Sequence, residues 1–364
     1  MIHTLNTQNV NGNGALLQEH YDANILHLTF IELDGNDHDS WHRLREKIIK
    51  YVNTHSINLI VMDRSGDPCN LEDTQGGYGP SSLQMLNSLL SICRTIIITD
   101  DWKYYYKPNK NIKFVSTGLW HNSQRNIHKY YQYQDTVYDT TIQKTRPLMC
   151  LNRNLEWHRI YLLYLLHDKS WFKNIDYSFI LPIDKRMEKP FIKKHFTDNE
   201  ITTINSIITP IQLEEEKGKD IKCVYEHGGS SVNLPVFETN AINLITETSV
   251  DTHTGVVLTE KTAKAIMAYQ IPILIANAGA SQWLEDLGID MFSDYVPWKQ
   301  WDSIENTKQR IQTIGNYVDT LMQDPIAIMQ THKNFYTRLK NNKERFHSEE
   351  FGNLLVRQLC DPVL

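Results

Sequence analysis

The chain has 364 residues, enough for two domains that each bury a core, and a formal net charge of −6, which argues against a protein built mainly to coat nucleic acid. Its five cysteines, Cys69, Cys93, Cys150, Cys223 and Cys360, show neither CxxC nor Cys/His spacing, so no zinc site or disulfide framework is indicated and a reducing cytoplasm is the expected setting. The polar start MIHTLNTQNVNGNG is unlike a signal peptide, and no run approaches the roughly 18 apolar residues of a membrane span, so no membrane partner is expected.

In chain order, Ile25–Phe30 reads as a strand, Ser40–Thr54 as a helix on Trp41, Leu44, Ile48, Ile49 and Val52, and Ile57–Met62 as a second strand. A helix over Ser81–Cys93, a strand over Thr95–Thr99 and another over Lys113–Ser116 follow, and this alternation predicts a parallel sheet with right-handed crossovers. Acidic turns are expected after two strands, at Asp63–Pro68 and at Asp100-Asp101-Trp102. Periodicity lapses over Gln132–Pro147, and Arg146-Pro147 reads as the boundary, giving an N-terminal domain over 1–146.

A second series then begins, with a strand at Leu148–Leu151, an amphipathic helix at Leu155–His167 and a strand at Tyr177–Leu181. Thr197 with Glu200 predicts a capping box on a helix to Ile208, and Ile211–Lys222 reads as a solvated loop before Val224–Glu226. Ala241–Gly279 reads as one βαβ unit. Ile242–Ile245 is a strand, Thr246, Glu247 and Thr248 lie just past its carboxyl end, and Thr259 is the N-cap of a helix over Ala263–Gln270 with Glu260 and Lys261 in its first turn. Pro272 is expected to close that helix before the strand Ile273–Ala276. Helices over Ala280–Leu287, Gln309–Met322 and Pro325–Arg345 complete a domain of 147–340, and a helical tail occupies 341–364.

A carboxylate at the ligand-binding edge of an α/β sheet, facing a lysine at a helix start, suits a ribose hydroxyl pair and a phosphate, the polar features of a nucleotide. The segment TETS, then Gly255, then LTEKTAKAIMAYQIPI resembles the donor-sugar motif of the α-1,3-fucosyltransferases and related phage and bacterial glycosyltransferases of the GT-B fold. CLNRNLEWHRIYLLYLL, residues 150–166, is similar to the segment that opens the donor domain in that family. The resemblance covers about a third of the chain, nearly all within 148–300, and implies two Rossmann-like domains with an interdomain cleft and a last helix returning to the first domain. It implies that Glu260 binds ribose, that Lys261 binds phosphate, and that Arg153 or Arg159 contacts the diphosphate. Thr248 stands where the family has Asn beside the acidic residue, and the loop Ser249–Val257 is longer. The donor set is completed by Glu247, Gly255, Thr259 and Thr262.

Each reading has a plainer rival. A Thr-Glu-Lys helix start is ordinarily a cap with a solvated first turn, and a helical arginine ordinarily makes an exposed ion pair. His227–Ser231 is either a phosphate cradle or a plain loop. An inverting transfer needs a base, for which Asp63, Asp67 and Asp100 lead, with Asp101 and Glu72 behind, although most strand-end aspartates only cap turns. DWKYYYKPNKNIK, residues 101–113, interleaves tyrosine and lysine, so Lys103, Tyr105 and Lys107 suit contact with an acceptor glycan or a DNA base. The sequence thus predicts a metal-independent glycosyltransferase that needs no cofactor beyond its nucleotide-sugar substrate, with a glycan or hydroxymethylated DNA as acceptor. A non-catalytic nucleotide-sugar-binding protein and a nucleotide-sugar epimerase are the competing classes.

Overall fold

The structure, a computed structural model, describes residues 2–4, 25–29, 46, 49–56, 59–64, 94–99, 112–115, 144–152, 156–179, 190–207, 211, 235–248, 250, 256, 258–348 and 350–351. The chain forms two compact units. One comprises Met1–Arg125, Thr252–Val257 and Gly352–Leu364, the other Asn126–Asp251 and Leu258–Phe351.

The first unit is built on a parallel sheet of β1 (Ile2–Thr4), β2 (Ile25–Thr29), β3 (Leu59–Arg64), β4 (Arg94–Thr99) and β5 (Ile112–Val115), ordered β1-β2-β3-β4-β5. β1 was not expected, since three residues carry too little periodicity to register. β3 starts two residues later than the apolar run suggests and continues through Asp63 and Arg64. Asp63 pairs with Thr29 and Ile98, so it belongs to the ladder and not to the turn after it. The reason is cooperative: with a parallel partner on each side, extending β3 satisfies backbone groups that a turn would leave open. Residues 49–55 are helical with Val52 buried, within the expected helix, whereas the helix expected at Ser81–Cys93 lies outside the described residues.

The second unit holds a four-stranded parallel sheet of β6 (Arg146–Asn152), β7 (Asp176–Phe179), β8 (Asn240–Thr246) and β9 (Ile271–Ile275), ordered β7-β6-β8-β9. The alternation of strand and helix therefore does give a mixed α/β fold with parallel sheets. Arg146 and Pro147 are strand residues, with Arg146 paired to Asn240, and not a linker. β8 and β9 are buried along their whole length, as expected of a parallel strand with both faces covered.

Helix α1 (Trp157–Leu166) leaves β6, and α2 (Pro190–Lys193), α3 (Asp198–Ser206) and α4 (Pro235–Thr239) lead to β8. The capping box forms on α3: Thr197 Oγ1 accepts from Glu200 N and Glu200 Oε2 accepts from Thr197 N. Helix α5 (Glu260–Met267) joins β8 to β9, and α6 (Ala280–Asp286), α7 (Thr307–Leu321), α8 (Pro325–Asn334) and α9 (Tyr336–His347) follow. α7 packs on α1, while α8 lies against β6 and β8 and α9 against α5. Right-handed crossovers leaving the sheet in opposite directions put α1 and α5 on opposite faces.

Two chain reversals differ from expectation. α5 is closed by Tyr269 in the left-handed region (φ 54°), and Pro272 sits inside β9, opposite Asn243. β9 is an edge strand of this sheet, where a proline costs no ladder bond on its open side. The single helix expected over Pro325–Arg345 is two, broken at Phe335. In α9, Asn342 bonds both the N–H and the carbonyl of Asp290 and Phe346 is fully buried, so the described part of the expected C-terminal helix packs within the second unit. Residues 352–364 lie outside the described residues.

At the amino end of this sheet two bases are buried. Lys144 Nζ donates to Phe237 O and Ala268 O, 2.9 Å each, and burial lowers it to about 7, with Glu238 opposing. His332 Nε2 donates to Tyr269 O at 2.6 Å, and burial, with Lys144 adding, lowers it to about 4. Between pH 6.5 and 4 the unfolded chain therefore takes up a proton that the folded His332 refuses, so the part of stability governed by His332 is full above this window and declines as pH falls through it. Urea titrations should show a loss of up to about 3 kcal/mol across that range, and His332→Gln should flatten the slope.

Candidate functional site

β6 and β8 are neighbours at the centre of the second sheet, with β7 beyond one and β9 beyond the other. The chain leaves their carboxyl ends in opposite directions, which is where open α/β sheets bind ligands. The ends are tied together by Thr246 Oγ1, which donates to Asn152 Oδ1 at 2.6 Å.

From β6 the chain enters α1, whose N-cap Glu156 makes no side-chain cap. Its first turn braces β8. His158 Nε2 donates to Glu247 O at 2.9 Å, and because a carbonyl only accepts, the proton sits on Nε2. Burial, and then the nearby Arg159 charge, hold His158 well below its usual range, so it is neutral. The Arg159 guanidinium is buried and donates to Thr246 O and Glu247 O, each at 3.3 Å.

The side chain of Glu247 is fully buried and turned toward the start of α5. Oε1 accepts from Thr259 N at 3.0 Å and from Thr262 Oγ1 at 2.6 Å, while Oε2 accepts from Thr259 Oγ1 at 2.5 Å. A carboxylate at a helix N-terminus meets the unpaired N–H groups and the positive end of the dipole. Thr259 is the N-cap, accepting from Lys261 N. The Lys261 ammonium, 26% exposed, donates to Thr259 Oγ1 at 2.9 Å and to Thr248 Oγ1 at 3.2 Å, and lies 3.9 Å from Glu247 Oε2.

The same edge is fastened at two further points. Beyond β9, Asp302 accepts from Ser281 N and Gln282 N at 3.0 Å each, occupying the start of α6, while Gly279 at φ 83° makes the turn. Arg310 of α7 donates to Val250 O at 2.7 Å, to Ala276 O at 3.1 Å and to Ile304 O, joining the loop after β8 to the end of β9.

Of the residues singled out in the sequence, Arg159, Glu247, Thr248, Thr259, Lys261 and Thr262 come together here, and Glu260 opens α5. Glu247 faces the protein interior, not an open crevice, because two threonine hydroxyls and an amide converge on it. The backbone of Asp63 is in β3; Arg153, Gly255, Asp67, Asp100, Lys103, Tyr105 and Lys107 lie outside the described residues. Arg310 and Asp302 were not anticipated. Arg310 does carry a signal, a charge within the buried stripe of Thr307, Ile311, Ile314 and Val318. Asp302 carries none of its own, although a helix start at Gly279 with no cap side chain calls for an acceptor from elsewhere.

Compared with known proteins, the chain matches no family model and no curated protein. Among the described residues no cluster of His, Cys, Asp or Glu suits a metal ion, and no helix is long and apolar enough to cross a membrane.

Arg310→Met keeps the volume of the stem but withdraws the donors of four backbone carbonyls, those of Val250, Ala276, Ile304 and Glu305. A loss of about 3 kcal/mol in the urea midpoint analysis is expected, and a change below about 0.5 kcal/mol would remove Arg310 as the brace of this edge.

Proposed function

We propose that the second unit binds the nucleotide of a nucleotide-sugar and that the chain is a metal-independent glycosyltransferase of the GT-B type, moving the sugar to an acceptor glycan or a hydroxymethylated DNA base. What supports the reading most is the position of Lys261: a part-exposed ammonium, in the first turn of the helix after a central strand, at the point where strand order reverses. Breaking the bond between the anomeric carbon and the phosphate oxygen leaves negative charge on the diphosphate. Lys261 and the N–H groups at the start of α1 are fixed positive features on that edge, and such features are worth more as charge develops than before it. His158, being neutral and engaged with Glu247 O, takes no part in proton transfer.

An inverting transfer also needs a carboxylate base that takes the acceptor hydroxyl proton as that oxygen attacks the anomeric carbon and the nucleoside diphosphate leaves, and Asp63, Asp67 and Asp100 are the candidates.

A thermal-shift series with UDP, GDP and their sugars should raise the melting temperature with one nucleotide class, since a ligand of the folded state stabilises it. Lys261→Ala should weaken that nucleotide by about ten- to a hundred-fold in calorimetric titration with the melting temperature retained, the worth of a hydrogen bond from a charged group. Unchanged affinity would sink the proposal. Turnover of the nucleotide-sugar with no acceptor present would favour an epimerase, and mass measurement of nucleosides after incubation with hydroxymethylated DNA separates the two acceptors.

A further inference from the structure

We infer that Glu247 is the positioning residue that aims Lys261 at the phosphates of a nucleoside diphosphate, an inference that rests on reading the second unit as a nucleotide-sugar site. A glutamate just past a strand end suggests direct contact with a ribose. The structure closes that role, since the carboxylate is 0% exposed and both its oxygens accept from the start of α5.

The direction of each hydrogen bond carries the argument. Thr259 has one hydroxyl proton, and at 2.5 Å it goes to Glu247 Oε2, an oxygen that can only accept. The lone pairs of that hydroxyl are then left for donors, and Lys261 supplies two: its backbone N–H at 3.4 Å and its ammonium at 2.9 Å. Glu247 therefore fixes the polarity of a chain that runs from carboxylate through hydroxyl to ammonium. Oε2 also lies 3.9 Å from the ammonium and attracts it along the same path. Without the carboxylate, the Thr259 hydroxyl proton loses its acceptor, the hydroxyl is no longer held with its lone pairs toward Lys261, and one of the contacts that order a long, flexible stem is weakened.

The backbone of the same residue performs the matching task on the other side. Its carbonyl accepts from His158 and Arg159 in the first turn of α1. One residue thus ties the helix starts that follow both central strands to a single point.

The test uses the full chain with UDP, GDP and the corresponding nucleosides, with diphosphate binding measured by calorimetry and nucleoside binding by saturation-transfer NMR. Glu247→Gln should weaken the diphosphate that the unaltered chain binds by about ten-fold or more while leaving its nucleoside within about two-fold. Thr259→Val should do the same and Thr259→Ser should restore binding, so the pair decides the matter if Glu247→Gln does not fold. Asp319→Asn, which removes the charge paired with Lys169, serves as the control for general destabilisation and should leave both affinities unchanged. Equal losses for nucleoside and diphosphate, or no loss in either variant, would overturn the positioning role. Binding of neither UDP nor GDP by the unaltered chain refutes the nucleotide reading and the inference with it, a result distinct from binding that Glu247→Gln does not alter.

Discussion

A carboxylate removed from water at the end of a central strand must find its donors within the protein, and the second unit is arranged around meeting that demand for Glu247. Removing one ionised group from solvent without partners costs several kcal/mol or more, so the partners are a condition of folding and not an ornament. They come from Thr259 and Thr262, three residues apart and so on one side of the first turn of α5. The end of β8 and the beginning of α5 are thereby one piece, although a loop separates them in sequence. Asp302 at α6 and Arg310 from α7 repeat the arrangement, each engaging backbone groups of chain segments that apolar packing alone would leave loose.

The two edges of the sheet treat charge in opposite ways. At the carboxyl edge, buried ionic side chains are held by hydroxyls, amides and carbonyls. At the amino edge, Lys144 and His332 are bases whose charged forms burial disfavours, and both close on the carbonyls of the chain reversal after α5. Between the edges the strands are apolar apart from Asn243 of β8, which donates to Gln270, and Ser178 of β7. A helix such as α5 therefore has its first turn held by an acid and its exit held by bases, which keeps its axis fixed relative to the sheet from both ends.

Much of this was legible from the residues. Thr197 and Glu200 announced a capping box because both members of the reciprocal pair are local, and the strand and helix alternation gave parallel sheets because crossover handedness leaves few choices. Thr259 as the cap of α5 was legible for the same local reason. What a sequence does not carry is where a side chain turns once its neighbours are in place. Glu247 read as a group facing a ligand because its position at a strand end is local information, while the threonines that claim it arrive from across the loop. Arg146-Pro147 read as a linker because proline usually punctuates, yet Pro147 is the second residue of β6, and a proline is tolerated near the start of a strand. Tyr269 is the sharpest case, since a left-handed tyrosine has no local signature and is held by what packs on it: Tyr336 at 6.0 Å, and Lys343 over its ring.

The burial of Leu339, Phe346 and Phe351 in the second unit bears on how a ribosome makes this protein. The helix that carries Lys261 packs on α9, so its covering is synthesised well after the helix itself. Strands β6 to β9 and α5 emerge in order, with the apolar surface meant for α9 still bare. Domains tend to fold as they emerge, but this one acquires the α9 layer only after its sheet is complete, and until then it presents an incomplete apolar face. A chain stopped just upstream of Tyr336 would be left in that state, so the integrity of the site around Lys261 depends on a helix made well after it.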